Sequence, residues 1–191
     1  RMSHSVWLDE SHTHLSSRQS TLGEVTSAAM NVRPYPPLFF FVVHYSLLWR
    51  DDETGLRMPS ALFGALTLVA VFLLGSELAG PVTGAIAALL LFLTPGSFRY
   101  FVDGNAYTLL MLSSALSTLF LLRAARSDSW RDWSLYAICA AVGLGTHTLF
   151  VFHLGAQFLA GIWLKARTGA RTLRSYGRLV AVGGLLLGAV M

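Results

Sequence analysis

Apolar residues run through this chain in long blocks, and polar residues collect between the blocks. Met58–Ala79 is the clearest block and Asn105–Leu122 the next, each near the ~20 residues that carry a helix across a bilayer. Trp133–Leu164 is long enough for a helical hairpin, with GLGTHT at its middle. Val82–Pro95 is shorter but strongly apolar, and Leu179–Met191 is apolar and still running at the last residue. The blocks predict an all-α fold: a polytopic membrane helical bundle with about six spans over residues 58–191, the last one truncated. Residues 1–57 form a preceding loop that ends in a shorter apolar run, PPLFFFVVHYSLLW (36–49). That run opens on Pro36–Pro37, carries His44 and Ser46, and has the length of a re-entrant or interfacial helix.

Composition agrees with the pattern. The chain is 54% hydrophobic and only 13% charged, which places it in the membrane class. A single cysteine, Cys139, excludes an internal disulfide framework and sits in an apolar block, where packing is its expected role. The net charge of +4 does not point to nucleic acid, because the basic residues fall between the apolar blocks rather than among aromatics on a polar face. No basic region followed by an apolar core precedes the first acidic residues, so no signal peptide is read. The opening Arg1 and the final GGLLLGAVM are expected to bound a window on a longer protein.

The basic residues instead orient the bundle. Lys165, Arg167, Arg171, Arg174 and Arg178 mark one loop as cytoplasmic, and Arg123, Arg126 and Arg131 mark another. The hairpin 133–164 separates these loops and returns to the same side, so its turn at Thr146–His147 is expected outside. Residues 95–107 are then also outside, as is loop 50–57, which holds three acids against two arginines. If 36–49 only dips into the membrane, Asp9 and Glu10 share the outer face with Asp103; if it crosses, they are cytoplasmic. The dip is the reading taken forward. Trp49, Trp130, Trp133 and Trp163 lie at block ends, where indoles favour the headgroup zone.

Three groups of residues are candidates for chemistry. Asp9 and Glu10, in SVWLDESHTHL, stand among apolar residues in a chain with few acids; carboxylates held against apolar surface gain proton affinity and can act as bases. A solvated loop pair is the plain alternative. Arg99, Tyr100, Asp103, Asn105 and Tyr107, in RYFVDGNAY, offer a planar cation and a carboxylate beside the bilayer, suited to a lipid phosphate; an ordinary polar turn is the alternative. His12 and His14 lack an evident third metal ligand, and His44 and His153 are expected to pack or hydrogen-bond within helices. No phosphate-cradling glycine loop is present, and Gly184 and Gly188 give a weak helix-packing signal. The spans lack Asp, Lys and Arg, with Glu77 at a span end, which argues against an ion pump or proton-coupled carrier.

In their order and spacing, SVWLDESHTHL, YPPLFFFVVHYSLL, LRMPSALFGALTLVAVFLLGSEL, GAIAALLLFLTPGSFRYFVDGNAYTLL and GLGTHTLFVFHL resemble the GT-C membrane glycosyltransferases, and most closely the bacterial dolichyl-phosphate-mannose–protein mannosyltransferase-like branch. The resemblance spans about residues 5–165. It implies that the Asp-Glu pair lies in the first extracytoplasmic loop and that Asp9 is the catalytic base, with Glu10 beside it. It also implies catalytic weight for Asp103, a match of Arg99–Tyr100 to an Arg-Tyr, and substrate-binding roles that extend to Asn105, Tyr107 and His147. The implied donor is a sugar on a polyprenyl phosphate. This chain departs from the pattern at Tyr35, where relatives usually carry His, and at Asn105 and Ala106, where they often carry Arg and Pro. The span that usually precedes the acidic pair is also missing from this sequence.

The function these readings imply is transfer of a sugar from a polyprenyl-phosphate donor to an acceptor hydroxyl, on protein or glycan, at the extracytoplasmic face. Asp9 takes the proton, the anomeric carbon inverts, and Arg99, with Asn105, meets the departing phosphate. Glu10 and Asp103 orient acceptor and sugar, or bind a divalent metal if one is used; no cofactor is certain. The expected setting is a multi-pass protein of a bacterial inner membrane, in contact with lipid and open to partners in a membrane complex. The alternatives are a non-catalytic membrane subunit that keeps the scaffold and, further off, a transporter or channel.

Overall fold

The structure is a computed structural model that describes residues 8–32, 35–127 and 129–168, with side chains described for 10–31, 35–127 and 129–161. Expectations for the loop 165–178, the block Leu179–Met191 with Gly184 and Gly188, Trp163 and the Asp9 side chain lie outside these described side chains or residues. Among the described residues every regular element is a helix, in the order α1 (Leu8–Ser17), α2 (Leu22–Val32), α3 (Leu38–Trp49), α4 (Glu53–Ala79), α5 (Pro81–Leu93), α6 (Pro95–Val102), α7 (Tyr107–Ser127), α8 (Trp130–Thr146) and α9 (Phe150–Thr168). The expected all-α membrane bundle is what the chain forms. By length and composition, α4 and α7 can each cross a membrane, and α5 with α6 makes a third candidate, bent by 72° at its break.

The central core joins three helices: Phe39, Val43 and Leu47 of α3 pack with Leu56 and Ala70 of α4 and Leu109, Leu112 and Ala115 of α7. Contacts at both ends of α4 and α7 show that the two run parallel. At one end Ser60 of α4 hydrogen-bonds the backbone of Asn105, just before α7, its hydroxyl 3.1 Å from the Asn105 carbonyl oxygen. At the other end Glu77 of α4 pairs with Arg123 at 3.1 Å and Arg126 at 2.7 Å, both on α7. The chain between them therefore returns through α5 and α6. α8 returns again, since Trp133 and Tyr136 pack with Ala124 near the end of α7, while His147 at the end of α8 meets the ring of Tyr107 at its start.

Local chemistry explains the element boundaries. Asp52 caps α4 by accepting the Gly55 N–H at 3.0 Å, and Gly55 allows the turn from α3, because a Cβ there would collide with the Arg50 carbonyl. Gly80, at φ 92°, takes the left-handed region that glycine favours and lets α4 fold straight into α5. Pro95 opens α6 at its first turn, where the missing N–H costs nothing. Residues 95–107, read as a loop from the sequence, are therefore helical in their first part. The segment around the acidic pair and His12, also read as a loop, is α1. α2 begins with a capping box, in which Thr21 Oγ1 accepts the Glu24 N–H at 3.3 Å and Glu24 reaches back to the Thr21 N–H at 3.2 Å.

α3 has 12 residues, a rise of about 18 Å, well short of the ~30 Å hydrocarbon core. α1 packs on it: His44 Nδ1 lies 2.9 Å from the Ser17 carbonyl, and Arg18 pairs with Asp51 beyond its end. Val25 and Ala29 of α2 pack on Phe40. α1, α2 and α3 thus form a layer across the end of the bundle where α4 begins.

Candidate active site

The site is built at that end, where α1, the start of α4, the α6–α7 turn and the α8–α9 turn meet. Its centre is Glu10, 1% exposed. Arg57 donates to it twice, from Nε to Oε1 at 2.8 Å and from Nη2 to Oε2 at 3.1 Å. The Gly104 N–H adds a third hydrogen bond to Oε1, at 2.9 Å. This is a two-pronged guanidinium–carboxylate pair closed by a backbone donor. Taking away Arg57 would leave the buried Glu10 carboxylate without its compensating charge. Arg57 also pairs with Glu53 one turn back on α4.

Gly104 must be glycine for this contact. A Cβ there would lie 2.8 Å from Leu56 Cγ and 3.1 Å from the Leu56 carbonyl oxygen, so the turn rests directly on α4. Asp103 precedes it and lies 3.4 Å from Arg99 Nε, one helical turn back on α6. Burial first, and then the negative charge of Glu10, push the Asp103 carboxyl above the usual range, against the pull of Arg99 and Arg57. Asn105 follows, buried, with its backbone tied to Ser60 and its side-chain oxygen accepting the Tyr107 N–H at 3.0 Å.

A line of aromatic rings continues from this turn. Tyr100 and Tyr107 have centroids 4.8 Å apart, Tyr107 and His147 5.6 Å, and His147 and Tyr35 4.9 Å. His147 is fixed by a tight connection in which it caps α8 through the Gly143 carbonyl, and Phe150 covers Gly143. His147 Nδ1 accepts the Leu149 N–H at 3.1 Å, which puts the ring proton on Nε2; that atom is buried and has no hydrogen-bond partner among the described residues. Burial lowers the His147 pKa, so the ring stays neutral and offers a single N–H.

The structure thus gathers Glu10, Arg99, Tyr100, Asp103, Asn105, Tyr107 and His147 at one end of the bundle. Asp9 is in the first turn of α1, next to Glu10, with its side chain outside the described set. Arg57 is the member the sequence did not single out: it was counted only as a charge of loop 50–57. Its partner is 47 residues away, so no local spacing marks the pair. His153 lies elsewhere, on α9 facing α7, with Nε2 at 3.3 Å from both Ser117 Oγ and Thr118 Oγ1. Among the described residues no group of three or more His, Cys, Asp or Glu side chains could hold a metal ion.

The structure thus places carboxylates, arginines and a neutral imidazole at one end of a helical membrane bundle. Its family is shown by the sequence: residues 34–191 match the model of the dolichyl-phosphate-mannose-protein mannosyltransferases, and the chain belongs to that family. It is accordingly an integral membrane protein and a membrane glycosyltransferase of the mannosyltransferase type, with a lipid-linked sugar as the donor class. Comparison with curated proteins and with solved structures returns no match. The family match starts after α2, so α1 is joined to the site by its contacts alone.

Proposed function

We propose that this protein transfers a sugar from a polyprenyl-phosphate donor to a hydroxyl of a protein or glycan, at the extracytoplasmic face of a bacterial plasma membrane, with inversion. The observation that carries this reading is the Glu10–Gly104 hydrogen bond, which lays the acidic segment of α1 on the turn bearing Asp103, next to Arg99. Asp9 takes the proton of the acceptor hydroxyl. The oxygen bonds to the anomeric carbon, and the bond from that carbon to the phosphate oxygen breaks, its electron pair leaving with the lipid phosphate. Arg99 meets the charge growing on the phosphate, where a preformed donor lowers the barrier most. Asp103 orients the sugar, Tyr100 and Tyr107 supply ring faces for it, Asn105 shapes the turn, and His147 Nε2–H is the donor for an uncharged substrate oxygen.

A divalent metal has a poor seat here. Both Glu10 oxygens already accept from Arg57, whose guanidinium repels a cation, so transfer should proceed after chelation. The deciding experiment is Asp9→Asn, assayed with a labelled polyprenyl-phosphate mannose in proteoliposomes. Loss of a catalytic base costs about 10²–10⁴-fold in rate. An unchanged rate overturns the base assignment.

A further inference from the structure

Arg57 and Ser60 are three residues apart on α4, and so share one face of that helix. Arg57 holds Glu10 of α1 through two hydrogen bonds, and Ser60 exchanges hydrogen bonds with the Asn105 backbone. The Gly104 N–H bridges the two by donating to Glu10. One turn of α4 therefore fastens two segments that lie 94 residues apart in the chain. With Glu53 completing its guanidinium contacts, each of the three Arg57 guanidinium nitrogens is paired with a protein carboxylate, which makes it a poor seat for a phosphate. Glu10 is occupied as well, by three hydrogen bonds, and is not placed to accept a substrate proton.

We infer that Arg57 is a positioning residue: it latches α1 through Glu10 onto the 103–105 turn and so sets where the Asp9 turn meets the Arg99–Asp103 pair. Glu10 acts as the catch of this latch, and its work is structural to the site. The catalytic half of the inference rests on the transferase reading above; the latch itself does not.

The test separates the two. Ser17 of α1 is 0% exposed, so Ser17→Cys in a Cys139→Ala background reports release of α1 by its rate of reaction with a maleimide. Arg57→Gln should speed labelling at least tenfold, while Arg57→Lys, which keeps the charge but not the two-pronged geometry, should fall between. In transfer assays Arg57→Gln should lower kcat about 10²-fold, the loss that a displacement of about 1 Å can produce, with the donor KM little changed. Arg57→Lys should recover part of kcat. Unchanged Ser17→Cys labelling in Arg57→Gln overturns the latch. Faster labelling with unchanged kcat keeps the latch and removes its catalytic role. Should Arg57→Gln not insert, Arg57→Lys carries both measurements, and parental labelling and kcat in that variant overturn the need for a guanidinium.

Discussion

At the residue scale, the site is a set of charges arranged so that each carboxylate has a different task. Glu10 is neutralised by Arg57, whereas Asp103 is pushed toward protonation by burial and by Glu10. An acid whose folded pKa is raised binds its proton more tightly folded than unfolded, so its contribution to stability is lost as pH rises through the folded pKa. Asp103→Asn is therefore expected to melt no lower than the parent at neutral pH, with its relative gain growing as pH climbs from about 4, while transfer falls. A thermal-shift series against pH checks this, and a lower melting temperature at pH 7 than at pH 4, relative to the parent, refutes it. His147 gives a second separation of stability from function. His147→Phe keeps a ring between Tyr35 and Tyr107 and removes the unpartnered Nε2–H. It also removes the Nδ1 acceptor of the Leu149 N–H, so thermal stability should fall by no more than about one hydrogen bond, while the donor KM should rise about tenfold, the worth of roughly 1.4 kcal/mol.

At the element scale, what the sequence displayed and what it hid have a common cause. α4 and α7 were plain because their apolar blocks are long and their contacts lie along the whole helix. α1 and α2 were read as loop because they are short and mixed; their helicity is secured by packing, as where Val25 and Ala29 close on Phe40. α6 was not foreseen as a helix, although Pro95 stands where a proline opens one. The candidate residues around Asp103 were marked by their types, but Arg57 was invisible because its meaning lies in a distant partner. The α4–α5 pairing makes an element-level prediction. A Cβ on Gly75 would lie 2.8 Å from the Gly84 Cα, and one on Gly84 would strike the Phe72 carbonyl. Gly84→Val should cost about 1–3 kcal/mol, seen as earlier heat aggregation in detergent, and a parental aggregation temperature would show that the helices can part freely.

At the scale of the whole molecule, acidic α1, the start of α4, the α6–α7 turn and the α8–α9 turn occupy one end, and Glu77, Arg123 and Arg126 the other. Under the topology read from the sequence, the second end, with Arg123, Arg126 and Arg131, faces the cytoplasm. Cysteines at Ser11 and Thr54 should then both react with an impermeant thiol reagent added outside intact cells; labelling from opposite sides would sink the shared site. The 72° break between α5 and α6 carries a kinetic consequence. α5 holds 13 residues, about 20 Å of rise, short of the ~30 Å hydrocarbon core of an ordinary bilayer. α6 then presents Phe98, Tyr100 and Val102 outward alongside Arg99. Under the proposed function, a lipid phosphate bound at Arg99 would arrive sideways, its tail still dissolved among its neighbours. Encounter is then a two-dimensional event. The quantity that saturates the enzyme is the number of donor molecules per unit area of membrane, so adding inert phospholipid at constant donor and protein should slow transfer as surely as removing donor.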